Sequence, residues 1–248
     1  MDADSRRLEE LSLNSSAPPG QLLYDGWVLR LCAGKAKRAR SVNAVYSSTR
    51  PLDEKIAYCE ALYATCGLPA IFRLTPFSQP PELDAALELR GYGRFDPTAV
   101  ESASLDPAPI AEGSAQELSL AAWVEAVGDL RGSPPMHRAG HLRRLEGTPL
   151  QKNALAIEEG GRIVATGLTI IEDRHAGLFD IVTHADRRRQ GHARRILQSL
   201  LARAWGLGAR HAYLQVEQGN APARRLYAQF GFVERYLYWY RGRAGEQQ

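Results

Sequence analysis

The sequence predicts a mixed α/β fold, and three features of the chain support that prediction. From residue 118 onward the apolar pattern gives the order helix, three strands, helix, strand, helix, strand. One of these helices repeats apolar residues at positions i, i+3, i+4 and i+7, which predicts a single buried face. Residues 106–114, which contain Pro, Gly and Ser, predict a linker between this half and a less regular first half.

The first half predicts three strands and two helices in a weaker pattern. The strands fall at 27–31, 70–74 and 98–105, and the helices at 52–66 and 82–90. Gly91 closes the second helix and leads into the third strand. Residues 14–20, NSSAPPG, predict a loop. Together with the linker, this organisation predicts two units, residues 1–106 and residues 107–248.

The second half predicts more regular elements. Helices are expected at 118–127, 191–205 and 222–230, and strands at 154–158, 163–171, 176–183, 212–216 and 232–241. A loop is predicted at 133–140, which contains Pro134 and Pro135. The helix, glycine, aromatic residue and strand that end this half repeat the order at 83–92. That repetition indicates a degenerate duplicated unit, although any helix-Gly-strand junction gives a similar pattern.

Composition predicts a soluble cytoplasmic protein. Hydrophobic residues make up 44% of the chain and charged residues 24%, which is ordinary globular usage. No apolar run approaches the ~20 residues of a membrane span, and the charged N-terminus lacks the apolar core of a signal peptide. Three cysteines without metal-ligand spacing predict reduced thiols: Cys32, Cys59 and Cys66.

Charge and histidine spacing argue against two other functions. The net charge of +3 does not mark a nucleic-acid binder, and the basic clusters lack interleaved aromatic residues that would stack on bases. His137 and His141 have the i, i+4 spacing of metal ligands on a helix, but no third ligand is evident. We therefore expect no metal and no nucleic-acid or membrane partner. The expected oligomeric state is a monomer or a homodimer.

An arginine-rich segment between a strand and a helix predicts a site for a phosphate group. The strand ends near Asp180, and the helix begins at Gly191 and Ala193, whose small side chains allow close approach. A helix start presents unpaired N–H groups and the positive end of the macrodipole. Five arginines surround this start: Arg187, Arg188, Arg189, Arg194 and Arg195. The alternative is a solvated arginine-rich helix start with no ligand.

Two segments resemble the GNAT superfamily of N-acetyltransferases. Its pyrophosphate loop, Arg/Gln-x-x-Gly-x-Gly/Ala, is matched by Arg188-Arg189-Gln190-Gly191-His192-Ala193. Its second motif, Asn-x-x-Ala-x-x-Leu-Tyr-x-x-x-Gly-Phe, is matched by Asn220, Ala223, Leu226, Tyr227, Gly231 and Phe232. Taken singly, Asn220 fits a helix cap and Tyr227 a core aromatic residue. The two motifs occur in the family's order, with a helix and a strand between them.

The resemblance implies an acyl-CoA N-acyltransferase fold, with a largely antiparallel mixed sheet and a splayed parallel pair at 176–183 and 212–216. Acetyl-CoA is then the co-substrate, and its pantetheine chain pairs with the backbone of Ile181, Val182 and Thr183. The remaining acetyl-CoA contacts that the resemblance implies are Arg188, Arg189, Gln190, Gly191, His192, Ala193, Arg194, Asn220, Ala223 and Tyr227.

The resemblance also assigns catalytic roles. Tyr227 is expected to protonate the departing CoA thiolate. Asp180 is the first candidate to take the proton of the amine, Glu217 is the second, and an ordered water is the third. Each of the two carboxylates also fits a structural cap or a surface charge.

The first half is expected to form part of the acceptor site. It resembles a GNAT subgroup whose N-terminal extension reads Asp25-Gly26-Trp27-Val28-Leu29-Arg30, followed by Lys37-Arg38 and Ser41-Val42-Asn43. The expected acceptor is a small-molecule amine, either an aminoglycoside-like antibiotic, which would imply antibiotic resistance, or an amino-acid derivative. A protein or peptide acceptor and a non-catalytic acyl-CoA-binding regulator are the alternatives.

Overall fold

One mixed sheet of eleven strands runs through the described chain, residues 3–34, 36–110 and 115–245 of a computed structural model. Of the predicted linker 106–114, residues 111–114 lie outside the described residues. Helices pack on both faces of the sheet, which confirms the mixed α/β fold. No helix in the described ranges has both the length and the apolarity needed to cross a bilayer.

The first half contributes three helices and five strands. The helices are α1 (Ala3–Asn14), α2 (Leu52–Thr65) and α3 (Leu83–Leu89). The strands are β1 (Gln21–Tyr24), β2 (Trp27–Arg30), β3 (Ser41–Asn43), β4 (Ile71–Leu74) and β5 (Gly93–Ser104). The sequence did not predict α1, β1 or β3, because each is short or lacks a clear apolar period.

The second half contributes four helices and six strands. The helices are α4 (Leu120–Arg131), α5 (Pro135–Gly147), α6 (His192–Gly206) and α7 (Ala221–Ala228). The strands are β6 (Gln116–Glu117), β7 (Gln151–Glu159), β8 (Arg162–Glu172), β9 (His175–Thr183), β10 (His211–Glu217) and β11 (Val233–Gly242). The predicted loop at 133–140 is wrong. Pro135 occupies the first helical position, where its missing N–H costs no hydrogen bond, and α5 continues from it.

The strand order is nearly palindromic: β1-β2-β3-β4-β11-β5-β10-β9-β8-β7-β6. The pairs β3–β4 and β9–β10 are parallel, and the other pairs are antiparallel. β5 from the first half therefore lies between β10 and β11, and β11 lies between β4 and β5. Two copies of one unit that exchanged their last strands would produce this order. The boundary at residue 107 stays a prediction, since the halves share one sheet.

Different helices cover the two faces of the sheet. On one face α6 buries Ile196, Leu197 and Leu200 against β7, β8 and β9. On the other face α4 packs over β7 and β8, and α1 packs over the central strands. The buried Glu9 of α1 fixes that helix, because its carboxylate accepts hydrogen bonds from Arg73 of β4 and, at 2.8 Å, from the Tyr236 hydroxyl of β11.

Candidate functional site

The two parallel strands β9 and β10 separate towards their carboxyl ends. Their last pair is Leu178 with Leu214, although β9 continues to Thr183 and β10 to Glu217. An unpaired strand edge leaves backbone groups available to a ligand that adds to the sheet. The predicted splayed parallel pair is therefore confirmed. The residues expected to pair with pantetheine lie on the separated part of β9: Ile181, Val182 and Thr183.

A β-bulge between β9 and β8 lies where β9 separates from β10. Asp180 and Ile181 together stand opposite Gly167 of β8, and Asp180 takes a φ of 50°. A Cβ on Gly167 would lie 2.5 Å from the Cδ1 of Leu200, so glycine lets α6 pack closely against the sheet at this level. The bulge puts the Asp180 carboxylate in contact with Arg131 at the end of α4 and His141 of α5.

The arginine-rich loop ends in an open helix start. Arg189 and Gly191 have φ values of 61° and 83°, and α6 begins directly afterwards. Nothing in the described residues lies within 4 Å of the position that a Cβ on Gly191 would take. Arg188, Arg189 and Gln190 are exposed beside this opening. The loop thus presents the first N–H groups of α6, the dipole and arginine side chains on one open surface.

Two of the residues predicted to bind acetyl-CoA, His192 and Arg194, have side chains that contact other parts of the protein. His192 is buried, and its Nδ1 lies 3.7 Å from Oε1 of Glu159, so only its backbone is available to a ligand. Arg194 donates a hydrogen bond to Gln229 and lies over the Phe230 ring, 5.3 Å from its centroid. Arg194 therefore joins α6 to α7, and the cofactor contact assigned to it stays a prediction.

Tyr227 lies on α7, the helix that the second motif predicts. The Oδ1 of Asn220 accepts a hydrogen bond of 3.3 Å from the N–H of Ala223, so Asn220 caps this helix. The Tyr227 ring lies 6.0 Å from the Phe232 ring, and its hydroxyl has no hydrogen-bond partner among the described residues. Burial, with a smaller contribution from Glu101, raises the pKa of Tyr227 to about 12. Its hydroxyl consequently keeps its proton at neutral pH.

Asp180 belongs to a charged cluster. Its carboxylate forms an ion pair with Nη1 of Arg131 at 2.6 Å and lies 3.3 Å from Nε2 of His141. Burial alone would raise the pKa of Asp180, but His141, Arg131 and Arg38 outweigh it and hold that pKa well below its usual range. Asp180 is therefore a stable carboxylate and a weak base. Glu217 is exposed at the end of β10.

A cavity of about 700 Å³ lies beside the Asp180 cluster. α5 and the end of α4 form one wall, and the first half contributes another with Ala33, Gly34, Ala36, Arg38 and Ala39. The sheet contributes Phe179, Leu168 and Ile170. The charged or ionisable side chains that line it are Arg38, Arg131, His137, His141, Arg144 and Asp180. Of these, the sequence identified only Asp180 as catalytic and Arg38 as an acceptor-site residue.

The α5 residues of the cavity had a signal in the sequence. His137, His141 and Arg144 recur at i, i+4 and i+7, the spacing of one helical face. The neighbouring prolines instead favoured a loop. No group of three or more potential metal ligands occurs within the described ranges, and His141 contacts Asp180 rather than His137. Asn43, also suggested for the acceptor site, is buried and donates to the carbonyl oxygens of Val28 and Ser41.

Comparison with known proteins agrees with this geometry. The model of the acetyltransferase (GNAT) family matches residues 120–232, which span α4 to the start of β11. An uncharacterised N-acetyltransferase of Bacillus subtilis (strain 168), YobR, is 28% identical over 237 residues, which cover 92% of this chain and 94% of that protein. The similarity to YobR thus extends through both halves.

Two solved structures share the whole fold. A GCN5-related N-acetyltransferase from Kribbella flavida superposes with a TM-score of 0.66 at 17% identity, over 97% of this chain and 94% of that one. A tandem GNAT protein from the clavulanic acid biosynthesis pathway gives a TM-score of 0.59 at 14% identity, over 96% and 95%. At these identities the likeness concerns the fold alone.

Proposed function

Because the chain belongs to the GNAT superfamily and is an N-acetyltransferase, we propose that it transfers the acetyl group of acetyl-CoA to the primary amine of a small molecule. The observation that carries this proposal is the separation of β9 and β10 beside the open start of α6. A strand-like pantetheine chain fits the separated edge, and a pyrophosphate fits the helix start. The three free thiols support a cytoplasmic location.

Tyr227 has the properties required of the acid. The amine nitrogen attacks the thioester carbonyl, and the C–S bond then breaks to leave a CoA thiolate. The thiolate takes the proton of the Tyr227 hydroxyl, which has no competing hydrogen bond in the described residues. A backbone N–H on the separated edge of β9 stabilises the oxyanion formed during the attack.

The amine must lose a proton before or during the attack, and three side chains are candidates for the base that takes it. Asp180 is next to the cavity, but its lowered pKa makes it a poor base. His141, which contacts Asp180 through Nε2, lines the same cavity and offers an imidazole that Asp180 orients. Glu217 is exposed beyond the separation of the strands. We therefore favour Asp180 acting through His141, with Glu217 or an ordered water as the alternative.

The cavity favours a small acceptor over a protein chain. Its volume of about 700 Å³ lies in the range that small-molecule sites occupy. Walls from both α5 and the first half border it, whereas a peptide acceptor requires an open groove. The intact Tyr227 also argues against a regulator that only binds acyl-CoA.

An amine screen tests the proposal. Purified protein is mixed with acetyl-CoA and single amines, peptides or buffer, and the release of the free CoA thiol is measured. We expect saturable, amine-dependent release with at least one small amine. A reaction with peptides but with no small amine would overturn the acceptor class, and no amine-dependent release from any acceptor would overturn the activity.

A further inference from the structure

The cavity beside Asp180 carries more positive than negative charge. Three guanidinium groups line it, those of Arg38, Arg131 and Arg144, and Asp180 is the only carboxylate among its described lining residues. On a protein surface, by contrast, arginines commonly have acidic side chains or neutral polar groups as neighbours. Inside a cavity, an excess of guanidinium groups requires a negatively charged partner, because a buried charge is costly without one.

Only one of the three arginines is paired with the carboxylate. Arg131 forms an ion pair with Asp180, with Nη1 2.6 Å from Oδ1. Arg38 donates instead to the neutral side chain of Gln215, and Arg144 donates to the carbonyl oxygen of Gly140 at 3.2 Å. Within the described residues neither Arg38 nor Arg144 forms an ion pair with an acidic side chain. Asp180 therefore acts on these two guanidinium groups only from a distance, and no acidic side chain of the described residues neutralises either of them directly.

These two groups also affect each other. Burial lowers the pKa of Arg144, Cys32 and Asp180 offset part of this effect, and the nearby positive charge of Arg38 lowers the pKa further. Each has a neighbour that restricts its movement: Arg38 lies over the Phe179 ring, 5.7 Å from its centroid, and Arg144 is hydrogen-bonded to the carbonyl oxygen of Gly140. An anion between them would relieve their repulsion and would find hydrogen-bond donors already in position.

We propose that the acceptor is an amine that also carries an oxyanionic group, which Arg38 and Arg144 hold in this cavity. The inference rests on the proposed function for the identity of the reacting amine. A carboxylate is the expected group, since guanidinium binds it through two parallel hydrogen bonds, and a phosphate has the same chemistry. A polycationic aminoglycoside is the opposite of what these charges select, so of the two expected acceptors the amino-acid derivative is favoured.

Matched acceptors test the charge requirement. The standard L-amino acids are compared with their α-carboxamides, O-phosphoethanolamine with ethanolamine, and kanamycin serves as the polycation. We expect kcat/KM to be roughly 10- to 100-fold higher for the anionic member of the preferred pair, as for one charge-assisted interaction. The pair with the larger ratio distinguishes a carboxylate from a phosphate. Equal or higher rates with the carboxamides, ethanolamine or kanamycin would overturn the inference.

Variants test the two arginines. Arg38→Gln and Arg144→Gln should each raise the KM of the preferred anionic amine roughly 10- to 100-fold and leave the KM of acetyl-CoA nearly constant. Arg143→Gln changes the exposed neighbour of Arg144 and is the matched control. If Arg38→Gln and Arg144→Gln behave like Arg143→Gln, the arginines do not hold the acceptor.

A binding measurement separates this inference from the proposed function. The same compounds are titrated calorimetrically into protein saturated with CoA. Anionic compounds that bind the wild type but not the Arg38→Gln/Arg144→Gln double variant would support the anion site even if no acetyl transfer occurred. Acetyl transfer to neutral amines only, with no binding of the anions, would leave the activity in place and overturn the anion site.

Discussion

The two parallel strand pairs, β3–β4 and β9–β10, occupy equivalent places in a nearly palindromic sheet, but only the second opens onto a site. β9 is followed by an arginine-rich loop and the open start of α6. β3 is followed by the segment that leads to α2, and a side chain of the protein itself binds the backbone N–H groups of that segment. The difference shows that topology alone does not produce the open helix start on which the proposed acetyl-CoA site depends.

Asp25 closes the first-half counterpart. Its carboxylate accepts hydrogen bonds from the N–H groups of Thr49 and Arg50, at 3.0 and 2.9 Å, just before α2 begins. Lys55, whose side chain is buried, lies 3.3 Å from the same carboxylate. An internal anion thus binds the backbone donors ahead of α2, whereas the start of α6 is left open for an external one.

The proposed acid, Tyr227, also occurs in one half only. Gly91 and Gly231 end equivalent short helices, and the residue four positions before each is Leu87 in the first half and Tyr227 in the second. Leu87 is fully buried in the apolar core. The first half contributes Arg38 and a wall of the cavity to the candidate site.

Removing the hydroxyl of Tyr227 should give the largest effect. Tyr227→Phe should lower kcat by roughly 10- to 1,000-fold, the range of general-acid effects, with little change in acetyl-CoA affinity. Because the pKa of Tyr227 is raised to about 12, the wild-type rate should show no loss from its ionisation below about pH 11. Steady-state kinetics across pH measure both effects.

Tyr58→Phe, on α2 of the first half, is the matched control and should leave kcat unchanged. Equal rates for Tyr227→Phe and wild type, with chemistry limiting turnover, would make Tyr227 as structural as Leu87 and remove this difference between the halves.

Two glycines at opposite ends of α6 provide the second test. Gly191 and Gly208 have φ values of 83° and 98°, and no described atom lies within 4 Å of either added Cβ. Valine at each position imposes a similar strain of about 1–2 kcal/mol. Only Gly191→Val should also weaken acetyl-CoA binding, by roughly tenfold or more, because its side chain enters the proposed phosphate seat.

Calorimetric titration with acetyl-CoA, together with the Tm of both variants, separates strain from ligand contact. A similar loss of affinity in Gly208→Val would mean that helix stability, and not the loop, controls binding.

The smallest effect is expected from Asp25. Asp25→Asn should lower Tm by a few degrees at neutral pH and leave kcat and both KM values unchanged. The backbone hydrogen bonds from Arg50 and Thr49 hold the pKa of Asp25 well below its usual range. Its charge therefore stabilises the fold above the usual carboxyl range near pH 4, and this contribution is lost as the pH falls through the folded pKa.

Thermal unfolding of wild type and Asp25→Asn between about pH 3 and 8 checks that sign. The Tm difference should shrink in acid. A change in acetyl-CoA KM in this variant would contradict the closed state of the first-half counterpart.

The Asp25–Arg30 motif has a structural role that the sequence alone does not reveal. The resemblance places this motif on the acceptor side, but Gly26 has a φ of 83°, and a Cβ there would overlap the carbonyl oxygens of Ser47 and Tyr46. Trp27 is buried and donates to the carbonyl oxygen of Gln79 at 2.8 Å. Arg30 is buried among backbone carbonyl oxygens, including those of Leu13 and Arg38. These partners are distant in sequence, so the pattern gave no sign that the motif builds the fold.

The sequence by itself determined the local features of the second half: the apolar strands, the amphipathic α6, the glycine at its start and the tyrosine on α7. Each depends on neighbours within a few residues, which is what periodicity and short motifs record. Tertiary structure alone decided the exchange of β5 and β11, the burial of Glu9 with Arg73, and the meeting of Arg38 with α5 at the cavity. Those contacts join residues far apart in the chain, and their energies come from pairing and burial that no local pattern encodes.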